Sequence, residues 1–371
     1  MKAMILSITT GHGHHAAANS IAETFKKRGA TVKIIDVYKQ LDKNFSDAIN
    51  KGYLLSMKHA PNAYRALYEL VDSKTEPATK YAPRNIANFL LSIRFEKFIE
   101  EFNPDVIICT HVFAAHVINE LKRRNKLSDI PTIGVVTDYT IHPFWEDVTN
   151  IEFIEIPSEL LTPRAKMKSI SEKRLLPFGI PIQKKFFEKT EKSEARKRLE
   201  IPEDSKVILL MAGSMGYANM PETINGIMNF DSSCTVLAVC GNNKRLYNKL
   251  TASQKDNVKV FGFIDYVDLL MDAADCIVTK PGGLTISESV AKNLPMIFVN
   301  PIPGQEDRNQ EFFLNRGLAI AVSKTFTMEE AMHFLFNEPG RLDSIRLHLS
   351  KVSKPDPAEK IVEFSEKLMN E

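Results

Sequence analysis

The chain has 371 residues, 44% of them hydrophobic and 25% charged, with a formal net charge of +2. This length exceeds one comfortable core, so two domains of ordinary size are expected, and the near-neutral balance gives no footing for a nucleic-acid partner. No apolar run approaches the roughly 20 residues that span a bilayer, and the apolar stretch at residues 3–8 is too short for a secretory core. Four cysteines, Cys109, Cys234, Cys240 and Cys276, sit in apolar strand-like runs without metal-ligand spacing, the pattern of reduced thiols in a cytosolic protein.

Strand-like runs alternate with helical patterns from end to end. In the first half the strands are expected at residues 3–8, 31–36, 105–109, 132–137 and 152–157, with a first helix over 16–28. In the second half they are expected at 206–211, 235–240, 258–261, 276–279 and 295–299, with a helix over 193–199. Several are unbroken Val/Ile/Leu runs, which indicates parallel sheets covered on both faces. Two doubly wound α/β domains follow, each with its ligand at the carboxyl ends of its strands.

The first strand runs into Thr9-Thr-Gly-His-Gly-His-His-Ala16, a glycine-bearing turn that opens the first helix. His14 sits at that helix start, where the positive helix end favours the neutral imidazole, a form suited to taking a proton from an attacking hydroxyl. Asp138, at the end of another strand, is expected to orient it. Other readings stay open for His12, His14 and His15: metal ligands, although no acid or cysteine stands near; a dinucleotide fingerprint lacking its third glycine; or the lining of a turn.

Residues 43–94 carry eight Lys or Arg against four acids, interleaved with aromatic and aliphatic residues such as Tyr53, Tyr64, Tyr68 and Phe89. Helices with such a basic face can lie on anionic lipid. The same residues can equally be core with a solvated basic face. Trp145, the only tryptophan, sits beside an acceptor or packs beneath Pro143.

Pro and Gly in Pro177-Phe-Gly-Ile-Pro-Ile182 mark a domain boundary. The domains are expected over 1–182 and 183–350, and residues 351–371 form a last helix, capped by Asp356 and opened by Pro357, that returns to the first domain. The most informative stretch is Val278-Thr-Lys-Pro-Gly-Gly-Leu-Thr-Ile-Ser-Glu288. It reads as a buried strand, a tight turn and a helix start. Gly282 and Gly283 let backbone amides approach an anion, and Glu288, about one turn on, can accept from ribose hydroxyls. The polar loop expected after the next strand offers Gln305, Glu306 and Asn309 to sugar hydroxyls. Together these describe a nucleotide-sugar site; the alternative is an ordinary strand-to-helix turn with solvated polar residues.

In this order the motifs resemble a known family. Thr10-Gly-His-Gly-His14, Asn103-Pro-Asp105, Thr137-Asp-Tyr-Thr-Ile-His-Pro-Phe-Trp145, Gly179-Ile-Pro-Ile182, Met211-Ala-Gly-Ser-Met-Gly216, Cys240-Gly-Asn242, Phe261-Gly-Phe263, Thr279-Lys-Pro-Gly-Gly283 and Pro303-Gly-Gln-Glu306 are similar to blocks of the monogalactosyldiacylglycerol synthases and the bacterial processive diacylglycerol β-glucosyltransferases. These are glycosyltransferases of family 28 with the GT-B fold, two Rossmann-like domains facing a central cleft. The last two blocks are the most specific.

The resemblance implies His14 as catalytic base and Gly11 and Gly13 as its glycine loop. It implies Gly213 and Ser214 as a phosphate-facing turn, Phe263 beside the uracil, and Glu288 on the ribose. Gln305 and Asn309 fall around the donor sugar and phosphate, with Lys280, Gly282, Gly283, Thr285 and Glu306 completing the donor set. Tyr64, Tyr68, His142 and Trp145 are expected on the acceptor and membrane side. His12 stands where the family more often has glycine, and His15 where Arg is frequent.

The expected activity is inverting transfer of a hexose from UDP-glucose or UDP-galactose to diacylglycerol, at the inner face of the cell membrane. No cofactor or metal is expected, because the chain has no Asp-x-Asp pair to hold a divalent ion on the diphosphate. Transfer of N-acetylglucosamine to a polyprenyl-linked precursor, a UDP-sugar epimerase and a non-catalytic UDP-sugar sensor are the competing readings.

Overall fold

The computed structural model describes residues 1–8, 13–37, 39, 95–127, 129–211, 219–253 and 256–370. The chain divides into two compact units: Met1–Gln183, Pro303–Gln305 and Lys354–Glu371 form the first, and Lys184–Ile302 with Glu306–Ser353 the second.

The first unit is built on a six-stranded parallel sheet. Its strands are β1 (Lys2–Ser7), β2 (Thr31–Asp36), β3 (Val106–Cys109), β4 (Thr132–Val135), β5 (Phe153–Glu155) and β6 (Leu175–Leu176), in the order β2-β1-β3-β4-β5-β6. β1, β3 and β4 are apolar runs buried on both faces, as the unbroken Val/Ile pattern requires. The backbone NH of Lys2 donates to Asp105 Oδ2 at 2.7 Å, pinning the start of β1 beside β3.

The first helix, Gly13–Lys27, buries Ala17, Ala18, Ile21, Ala22 and Phe25, a stripe at helical spacing. It packs with Ala358, Ile361 and Val362 of the C-terminal helix Pro357–Asn370 over Ala3, Ile5, Val106, Ile108, Ile133 and Val135. Asp356 Oδ1 accepts from the Ala358 NH at 3.0 Å and so caps that last helix. Lys26 and Lys27 close the first helix and no acid occupies its first turn, which leaves its amino end positive.

The second unit repeats the plan. Its strands are β7 (Val207–Met211), β8 (Thr235–Val239), β9 (Val258–Phe261), β10 (Cys276–Thr279), β11 (Met296–Phe298) and β12 (Ala319–Ala321), all parallel, in the order β12-β11-β10-β7-β8-β9. Asp275, just before β10, accepts from the Val207 NH at 2.8 Å and from Arg196 Nη2 at 2.9 Å, locking the strand starts to the helix Lys192–Arg198.

In each sheet the chain winds outward in one direction, then crosses back to continue in the other. The reversal falls between β1 and β3 in the first unit and between β7 and β10 in the second. At such a point the loops above neighbouring strands diverge and leave room for a ligand. Two of the glycine-bearing segments singled out in the sequence come after such strands: the histidine segment comes after β1, and Gly282–Gly283 after β10.

Three local expectations differ from the structure. β6 and β12 are strands of two and three residues that the pattern did not reveal. The first helix begins at Gly13, ahead of the expected residue 16. The polar segment after β11 is no loop beyond Gly304, because Gln305–Leu314 is a helix. Among the described residues no helix is long and apolar enough to cross a membrane.

Candidate active site

His14 stands in the first turn of the first helix, over the carboxyl ends of three strands. Its Nδ1 lies 2.9 Å from the carbonyl oxygen of Thr110, which follows β3, and 2.9 Å from Thr137 Oγ1, beyond β4. A carbonyl oxygen only accepts, so Nδ1 carries the ring proton and Nε2 keeps its lone pair. Burial pushes the pKa of His14 down to about 4, against the opposing pull of the Thr110 carbonyl. The neutral imidazole expected from the helix start is therefore present, with burial as its main cause.

The expected partner of His14 needs correction. Thr110 and Thr137 hold its Nδ1, and Asp138 does not. Thr137 is buried, and Asp138 beside it is partly exposed. Ser7 Oγ at the end of β1 and Thr110 Oγ1 after β3 are buried with no hydrogen-bond partner among the described residues.

His111 was not read from the sequence and stands against His14, ring centroids 4.4 Å apart and planes at 81°. It caps the helix Val112–Arg123 by accepting from the Phe113 NH at 3.1 Å. Its ring stacks on Phe113 at 5.3 Å, Phe113 lies 6.0 Å from Phe144, and Phe144 lies 4.7 Å from His142. The result is a continuous run of aromatic rings beginning at His14. His142 in turn accepts from the Phe144 NH at 3.2 Å, capping the short 3-10 helix Pro143–Asp147.

Trp145 is 4% exposed. A Cβ placed on Gly134 of β4 would fall 2.5 Å from its ring, so the indole packs flat on the one residue of that strand without a side chain. Packing accounts for this position.

In the second unit β10 ends at Thr279, and Gly282, extended at φ −78° and ψ 137°, is the N-cap of the helix Gly283–Ala291. No side chain caps this helix, so its first amides are left for a ligand. A Cβ on Gly282 would meet nothing closer than Glu306 Oε1 at 3.7 Å. Neither backbone angle nor packing demands glycine here.

Lys280 precedes the turn, and its carbonyl accepts from the Gly282 NH at 2.8 Å. Thr285 and Glu288 lie on the helix that follows. Burial raises the Glu288 carboxyl to about 8, with Lys185 lowering it and Asp268 raising it by smaller amounts. A half-buried acid with its carboxyl raised in this way marks a candidate ligand-contacting position.

The helix Gln305–Leu314 braces the turn. Asn309 is fully buried, and its Nδ2 donates to the Pro281 carbonyl at 3.0 Å. Glu306 Oε2 accepts from the Ile302 NH at 2.6 Å while its other oxygen lies beside Gly282. The two motif blocks are thus joined, with Asn309 and Glu306 supporting the glycine turn. Gln305 opens the same helix. Phe263, two residues beyond β9, is 70% exposed, and Gly262 beside it stands near the Gly241 carbonyl at the end of β8.

Gly13 begins the first helix. Gly11, Gly213, Ser214, Tyr64 and Tyr68 lie outside the described residues, as does the basic, aromatic stretch 40–94. Among the described residues no group of three or more His, Cys, Asp or Glu is placed to hold a metal ion.

A family model described as monogalactosyldiacylglycerol (MGDG) synthase matches residues 14–182, and one described as glycosyltransferase family 28 C-terminal domain matches residues 207–335. The chain is 30% identical to a processive diacylglycerol beta-glucosyltransferase of Bacillus pumilus, over 100% of this chain and 96% of that one. The chain belongs to the family 28 diacylglycerol glycosyltransferases.

A second member, the processive diacylglycerol beta-glucosyltransferase of Bacillus subtilis, is 29% identical over 98% of this chain and 94% of its own length. Among solved structures, MurG of Acinetobacter baumannii superposes with a TM-score of 0.67 at 13% identity, covering 99% of each chain. At that identity the likeness speaks for the fold alone. The fold is GT-B, its two Rossmann-like units being the two six-stranded sheets described above.

Proposed function

We propose that this family member is an inverting glycosyltransferase that moves glucose from UDP-glucose to the hydroxyl of diacylglycerol and then extends its own glycolipid product. The observation that carries the reading is His14: uncharged, with Nδ1 tied to the Thr110 carbonyl and the Nε2 lone pair left as the base. Glucose and repeated transfer are supported by the names of the full-length relatives. Galactose is the second donor to test, because it differs from glucose in the orientation of one hydroxyl.

The second unit holds the donor. The open amides in the first turn of the helix that begins at Gly283 take the diphosphate, Glu288 takes the ribose hydroxyls, and the exposed Phe263 loop takes the uracil. Peptide NH groups and the positive helix end carry the phosphate charge in place of a divalent cation. In the reaction His14 Nε2 removes the proton of the acceptor hydroxyl. That oxygen forms the bond to the anomeric carbon, and the bond from this carbon to the phosphate oxygen breaks with its electron pair leaving on UDP. The amides stabilise the charge that develops there. A single displacement converts the α-linked donor sugar into a β-glycoside.

Diacylglycerol resides in a bilayer, so the chain works as a peripheral protein on the inner membrane face. The eight basic residues of 43–94 supply attraction to anionic lipid. The deciding experiment incubates the chain with vesicles containing diacylglycerol and either UDP-glucose or UDP-galactose, and identifies the lipid products by mass spectrometry and sugar analysis. Diacylglycerol-dependent formation of mono- and diglucosyl lipid is expected. Donor binding without acceptor-dependent turnover would leave the sensor reading in its place.

A further inference from the structure

The reaction just described makes no use of His111, although this ring touches His14. β3 stops at Cys109, Thr110 turns its carbonyl to His14, and the next residue opens a new helix. As N-cap, His111 Nδ1 accepts from the Phe113 NH at 3.1 Å. A ring nitrogen that accepts carries no hydrogen, so neutral His111 holds its proton on Nε2. His14 has the opposite tautomer, with its proton on Nδ1 and its lone pair on Nε2. The two Nε2 atoms have no hydrogen-bond partner among the described residues. Two rings in edge-to-face contact at 4.4 Å therefore offer complementary groups, one that accepts and one that donates.

We infer that His111 Nε2–H donates to the acceptor oxygen whose proton His14 Nε2 removes. A hydroxyl has one hydrogen and two lone pairs. With the hydrogen on His14 and one lone pair on His111, a single lone pair remains to be aimed at the anomeric carbon. As the proton leaves, the same N–H steadies the charge growing on the oxygen. His111 must stay uncharged for this, since a second imidazolium would oppose protonation of His14. Burial, followed by the neighbouring His14, His142 and His116, holds it well below the usual imidazole range. Beyond it Phe113 and Phe144 continue the contact with apolar rings, a surface suited to an apolar acceptor.

This inference rests on the glycosyl transfer proposed above. His111→Asn separates the two roles of the ring, because an Asn side chain caps a helix as well as any residue but lacks the distant N–H. With diacylglycerol vesicles and UDP-glucose, the variant should raise the acceptor KM by about tenfold, the worth of one hydrogen bond to substrate. The dissociation constant for UDP-glucose and the melting temperature should stay at their original values. His111→Asp also caps and has no proton to give, so it should show the same loss. Values of kcat and acceptor KM that are both unchanged in the two variants overturn the inference, as does a loss that UDP-glucose binding shares. Absence of diacylglycerol-dependent transfer by the unsubstituted chain would instead remove the proposed function itself.

Discussion

His14 Nδ1 and the Thr110 carbonyl oxygen lie 2.9 Å apart, and this one contact decides which nitrogen of the imidazole is free to act as a base. The contact exists because β1 and β3 are neighbours in the sheet, so the helix that follows one strand meets the residue after the other.

The pH dependence of transfer follows from it. A base must be uncharged, and burial moves the charged form of His14 down to about 4. Stepwise from pH 8 to pH 5, kcat at saturating UDP-glucose should therefore show no inflection near 6.5, where an exposed histidine titrates. Activity should fall only toward pH 4. A half-maximal rate at pH 6.5 would contradict this.

Glu288 predicts a second pH effect, in binding. Its carboxyl is raised to about 8, so below that pH it is mostly protonated and must ionise to accept two ribose hydroxyls. Affinity for UDP-glucose should rise with pH and level off above pH 8, changing by about tenfold per unit below it. UDP-glucose is the ligand to use, since its phosphates do not titrate in this window. In Glu288→Gln, calorimetry should find weaker binding with no such dependence.

Gly282→Ala separates fold from function. The position has ordinary backbone angles and room for a Cβ, so the melting temperature should hardly move. The added methyl would stand where the diphosphate must reach the helix amides. UDP-glucose affinity should drop by at least about tenfold, the scale of a lost charge-assisted hydrogen bond. Unchanged binding would show that the turn does not face the phosphates.

Chelation addresses the phosphate charge from another side. If peptide NH groups carry it, transfer assayed with excess EDTA should match transfer without it. A rate that collapses with EDTA and returns with magnesium or manganese would assign that charge to a cation.

Much of this was legible in the sequence, because parallel strands buried on both faces are written as unbroken apolar runs. The five-residue run of β7 is the plainest case. β6 and β12 were missed because two or three apolar residues beside Pro177 or Gly317 carry no period of their own. The helix Gln305–Leu314 was mistaken for a loop because its first six residues are all polar and its buried contacts begin at Asn309.

Within the site, His14 and the Gly282 turn stood out by residue type and spacing. His111 did not, since a lone imidazole after a strand is an unusual helix cap. Its one available signal was its place at a strand end, and strand order is not written in the local pattern. The same gap explains the choice of Asp138 over Thr137, since which of two adjacent residues meets the ring depends on strands distant in the sequence.

The account depends most on His14 as the group that activates the acceptor. Its direct test measures UDP-glucose binding by calorimetry and glucosyl transfer to diacylglycerol on one preparation of His14→Ala. Binding should remain within about twofold while transfer falls by roughly a hundredfold or more, the usual contribution of a general base. Transfer at the unsubstituted rate in that variant would contradict the mechanism.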